Sequence, residues 1–129
     1  MNEVGPRSNG PLIEARGLNK NFGPIPALAG VDLELAGGQV IGLLGENGCG
    51  KTTLLKVLAG VMQDHAGHVR IAGRRLGPET KACVSFLPDA SYLKDSATVS
   101  QCIGMFSDFF SDFRADKASD MIKFFGLAE

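Results

Sequence analysis

Gly45-Glu46-Asn47-Gly48-Cys49-Gly50-Lys51-Thr52 satisfies every fixed position of the pattern G-x-x-x-x-G-K-[ST], and few chain geometries accept it. The apolar stretch at 39–44 ahead of it has strand length, and Leu54, Leu55 and Leu58 behind it recur at helical spacing, with Gly60 placed as a left-handed C-cap. The order strand, glycine-rich loop, helix predicts a backbone curl whose amides converge on an anion, reinforced by the positive end of the helix dipole. Phosphate is the natural guest. Lys51 is placed to reach β and γ phosphates, the Thr52 hydroxyl to ligand a bridging Mg²⁺, and Thr53 to meet the α phosphate. A dinucleotide fingerprint is excluded, because the third glycine of G-x-G-x-x-G would fall at Thr53.

The rest of the chain frames this unit. Between residues 12 and 35 short apolar stretches alternate with Gly, Pro and Asn, and Val31, Leu33 and Leu35 keep period two, so a lobe of antiparallel strands is expected, closed by a turn at Gly37 and Gly38. Residues 39–44 read as a buried central strand and 82–87 as a second strand stopped by Pro88, with a short strand at 68–72 between Gly67 and Gly73. Thr98 and Gln101 have capping-box spacing ahead of a helix carrying Val99, Cys102, Phe106 and Phe109 or Phe110 on one face. A second helix over Ala118, Met121, Ile122 and Phe125 closes at Gly126.

With 129 residues, 44% hydrophobic and 21% charged, the chain suits one globular domain, and no apolar run nears the ~20 residues that span a bilayer. A net charge of −1 gives no global footprint for nucleic acid, and no nucleic-acid partner is expected. Residues 1–11 read as a flexible leader without an apolar core, which points to a cytoplasmic address. The 3 cysteines are widely spaced without C-x-x-C and read as reduced thiols. His65 and His68 lack companion ligands, and Arg70, Arg74, Arg75 and Lys81 around a glycine turn read as a solvated face. Cys49, although near a helix start that favours thiolate, reads as a tolerated small residue of the loop.

Leu18-Asn19-Lys20-Asn21-Phe22-Gly23, Ala27-Leu28-Ala29-Gly30-Val31, the run from Gly38 through the loop to Leu55, and Leu58-Ala59-Gly60 together resemble the N-terminal half of the ATP-binding subunit of an ABC transporter, from about Leu12 onward. The resemblance implies an α/β P-loop NTPase core with an N-terminal antiparallel β lobe and the start of a helical lobe. It implies ATP and Mg²⁺ as cofactors, membrane-spanning transporter subunits and a second nucleotide-binding subunit as partners, and a place on the inner face of the membrane. Phe22 stands where the family stacks an aromatic ring on adenine, or else is a core aromatic. Asp89 stands where the family carries a glutamine that senses Mg²⁺ and water; it is either a metal-facing carboxylate of altered coupling or a turn residue after Pro88. The family's signature motif, its Asp-Glu strand and its switch histidine do not occur, so slow or no hydrolysis and marginal solubility are expected of this chain alone. The phenylalanine stripe reads as core, or else, as the resemblance implies, part of it meets the membrane subunit, and the wording around Phe86 and Ser107 favours export. A non-hydrolysing nucleotide-binding regulator and a non-transport ABC ATPase stay open as alternatives.

Overall fold

In the computed structural model, residues 10–89, 93 and 96–127 are described. The leader expected over 1–11 therefore lies outside them except for Gly10 and Pro11. The chain divides between Leu87 and Pro88 into two units.

The first unit is built on a four-stranded antiparallel sheet of order β2-β1-β3-β4. Strands β1 (Ile13–Phe22) and β2 (Ile25–Leu35) form a hairpin, followed by helix α1 (Lys51–Leu58), strands β3 (Ala66–Ile71) and β4 (Arg74–Arg75), and the short helix α2 (Pro78–Lys81). The period-two expectation for Val31, Leu33 and Leu35 holds, since these half-buried residues alternate with exposed Asp32 and Glu34. One sheet face and α1 enclose the core of Ala15, Leu18, Leu28, Leu54, Val57, Leu58, Val69 and Ile71, with Val31, Leu33, Met62 and Val84 packed around it. Helix α1 is stopped as the sequence suggests. Gly60, at φ +70°, donates its N–H to Val57 O and Val61 donates to Lys56 O, which satisfies carbonyls that the last turn would otherwise orphan.

The hairpin register slips between Ala15 and Leu18 on β1, where Gly17 adopts φ +57°. An extra residue at a bulge leaves its amide out of the ladder, and here the Asp32 carboxylate accepts the Gly17 N–H at 2.6 Å. The second slip is handled likewise, with Asn19 Oδ1 accepting from Gly30 N at 2.9 Å.

Two expected strands are absent. Residues 39–44 are irregular, with Val40 and Leu44 exposed and Ile41 and Leu43 48% and 42% accessible, so this is not a buried central strand. Residues 82–87 also form no strand: Ala82 caps α2, and only Val84 joins the core while Leu87 is exposed. A parallel strand needs neighbours on both hydrogen-bonding edges and cover on both faces, and neither segment meets a pairing strand among the described residues.

The second unit contains helices α3 (Val99–Phe109) and α4 (Ala115–Phe125). The capping box at Thr98 forms as expected. Gln101 N donates to Thr98 Oγ1 at 3.2 Å and Thr98 N donates to Gln101 Oε1 at 3.0 Å. Phe106 stacks on Phe110 and Phe113 with centroids 5.7 and 5.6 Å apart, so the phenylalanine repeat is a local ring cluster at the helix end. Gly126 at φ +63° ends α4, with Leu127 N bonded to Ile122 O. No helix among the described residues is long and apolar enough to cross a membrane.

Candidate functional site

The loop from Gly45 to Gly50 runs into α1, whose first turn carries Lys51, Thr52 and Thr53. Two left-handed glycines shape it, Gly48 at φ +83° and Gly50 at φ +96°, in a region where a side chain is strained. Gly50 is also pressed on the sheet, because a Cβ there would lie 2.2 Å from the Ala27 carbonyl oxygen. At the other end, a Cβ on Gly45 would lie 2.7 Å from Cys49 Sγ. Cys49 N donates to Glu46 O at 3.3 Å, closing a turn over Asn47 and Gly48.

The Lys51 ammonium lies inside this curl. Its Nζ donates to Gly45 O at 2.8 Å and to Glu46 O at 2.7 Å, and sits 3.7 Å from Cys49 Sγ. A cation is thus held inside the loop by two carbonyl oxygens and a cysteine sulfur, with its charge uncancelled by any carboxylate among the described residues. No side chain caps α1, so the amides of its first turn have no side-chain acceptor either. Lysine charge and the positive end of the helix dipole therefore lie side by side.

Phe22 is 48% exposed and so is no core aromatic. Register places it at the loop's end of the hairpin: Asn21 pairs with Pro26 and Lys20 with Leu28, on either side of the Ala27 that Gly50 touches. Its ring is met by Lys20, whose Nζ stands 5.0 Å from the centroid. Sequence reading missed this lysine. Lys20 is 8% exposed and its Nζ donates to Asp64 Oδ2 at 2.7 Å, which holds the Asp64 carboxyl below its ordinary value. The clue available was parity, since Lys20 shares the inward period of Leu18. Asp89 belongs to the second unit, where it is exposed in a bend after Pro88.

A glycine-shaped loop, a lysine curled into it and the start of a helix thus stand together on an α/β scaffold. The family model described as ABC transporter matches residues 28–129. The chain belongs to this family, among its ATP-binding subunits. It is 38% identical over 100 residues to the ribose import ATP-binding protein RbsA of Cereibacter sphaeroides, covering 74% of this chain and 20% of that protein. It is 32% identical over 122 residues to the Fe(3+) ions import ATP-binding protein FbpC of Mesorhizobium japonicum, covering 90% of this chain and 34% of that one. Over 65 residues it is 48% identical to the sn-glycerol-3-phosphate import ATP-binding protein UgpC 1 of Rhizobium etli, half of this chain and 19% of the relative. A solved structure titled as the ATP binding subunit of an ABC transporter superposes with a TM-score of 0.66 at 27% identity, over 81% of this chain and 45% of the other. The chain thus spans between a fifth and a third of the length of these curated relatives.

Proposed function

We propose that the loop holds the phosphates of MgATP, as part of the ATP-binding subunit of an ABC transporter. The observation that carries this reading is Lys51, whose ammonium is kept inside the loop by the Gly45 and Glu46 carbonyls with no carboxylate paired to it among the described residues. Main-chain amides of Gly45, Glu46, Asn47, Gly48, Cys49 and Gly50 would line the phosphates, Lys51 would meet the β and γ groups, and Thr53 the α group. Phe22 would stack on the base from the same end of the hairpin.

Among the described residues no group of three or more His, Cys, Asp or Glu could hold a metal. An all-protein cage is therefore not what this loop provides, and the exposed Thr52 hydroxyl suits an ion that keeps phosphate and water as its remaining ligands, the habit of Mg²⁺. Mg²⁺ bound there would neutralise charge building between the β and γ phosphates. Asp89 is proposed as a further oxygen ligand, or a positioner of water, in the family's glutamine place.

In the complete assembly this reading places the chain on the inner face of a membrane through membrane-spanning subunits, opposite a second nucleotide-binding subunit. The three relatives are named for import, which supports uptake over the export suggested by wording in the sequence. Calorimetric titration with MgATP tests the core of the proposal. Lys51→Ala should abolish measurable binding while leaving the circular dichroism spectrum unchanged, and retained affinity would overturn the phosphate assignment.

A further inference from the structure

The outer face of the sheet carries its charges in register. Glu34, Glu14, Arg70 and Arg75 form one row across all four strands, and Arg16 stands opposite His68 in the next. Arg16 serves both carboxylates of that row: Nε donates to Glu14 at 3.3 Å and Nη2 donates to Glu34, which together raise the affinity of its guanidinium for the proton. Arg74 donates to Glu79 at 3.0 Å. Arg70 and Arg75 are left directly opposite one another, both exposed and neither in an ion pair among the described residues. Like charges facing each other across an antiparallel pair repel, and the Glu14 carboxylate on the other side of Arg70 is shared with Arg16, so an anion between the two arginines would relieve that repulsion.

The space for one exists. A groove of about 380 Å³ is bounded by Arg16, His65, His68, Arg70 and Arg75, with Glu14 already engaged by Arg16. Two guanidinium forks and two imidazoles supply many donors, and the paired arginine charges match a dianion. None of the loop residues 45–53 borders it.

We infer that this groove is a second anion site that binds a phosphomonoester or diphosphate group through Arg70 and Arg75. Such a group is carried by soluble phosphates and by lipid headgroups, and two probes separate these sources. The host is the 129-residue chain carrying Lys51→Ala, which silences the nucleotide loop, so failure here is distinguishable from failure of the ATP assignment. Inorganic pyrophosphate is titrated by NMR at 150 mM chloride, and phosphatidylcholine vesicles containing phosphatidic acid are tested by sedimentation. The expected result is shifts at the amides of Val69, Arg70, Arg75 and Leu76 with pyrophosphate, or co-sedimentation with vesicles. In either case Arg70→Gln/Arg75→Gln should weaken binding at least tenfold. Arg70→Lys/Arg75→Lys, which keeps charge but loses the forks, should lie between, and Arg74→Gln should bind as the parent does. Pyrophosphate binding alone assigns a soluble phosphate, and vesicle binding alone assigns a headgroup. Binding of neither probe, equal binding by the double Gln variant, or equal weakening by Arg74→Gln, the signature of diffuse charge, overturns the inference.

Discussion

Gly50 concentrates two constraints in one residue. It is left-handed, and its α-carbon faces the Ala27 carbonyl so closely that a methyl group would sit 2.2 Å from the oxygen. Gly50→Ala is therefore expected to destabilise the chain by about 1–3 kcal/mol or to deform the loop, read as a lowered urea midpoint and lost nucleotide binding. Lys20 offers a second test. Its hydrogen bond holds Asp64 below the ordinary value of 3.8, so this carboxylate's contribution is fully present above that pH and is lost as acid carries it through its depressed pKa. Asp64→Asn should lower the melting temperature at pH 7, and the difference from the parent should shrink as the pH falls below the ordinary carboxylate value of 3.8. A gap that persisted into strong acid would contradict the linkage. The motif glycines and Lys51 were legible because fixed residue types serve fixed backbone needs. Lys20 was harder to see, because its partner lies in a distant loop that no local pattern points to.

At the level of elements, the signals that held are those completed within a few residues. Thr98 and Gln101 satisfy each other's amides, and Gly60 and Gly126 close α1 and α4 with the bonds that left-handed caps allow. Thr98→Ala should cost about 1 kcal/mol and fray α3, visible as faster amide exchange at Ser100 and Gln101. The strands expected at 39–44 and 82–87 failed for the complementary reason. Hydrophobic runs of that length name a preference for burial, but a strand exists only once another backbone is beside it, and that partner is not encoded in the run itself. The hairpin succeeded because β1 and β2 are each other's partners, two residues apart in the chain.

For the whole molecule, stability rests on a small core where the sheet meets α1. Leu18 is fully buried there, and Leu18→Ala should cost about 2–5 kcal/mol, enough to unfold much of the first unit, as checked by chemical denaturation. Val40, Ile41, Leu43, Leu44 and Leu87 contribute apolar surface that a soluble chain would normally cover. Light scattering should accordingly show concentration-dependent association of the chain, relieved by Ile41→Ser/Leu44→Ser; monodispersity of the parent at high concentration would refute this. The contact between Gly50 and Ala27 has a mechanical consequence. Because the start of the helix rests on strand backbone and not on a pliable side chain, a jolt given to the loop by an arriving ligand has no cushion to absorb it. Tightening of the loop would travel into the hairpin as a rigid push, and isotope-labelled carbonyls along β2 would register occupancy well away from where it occurs.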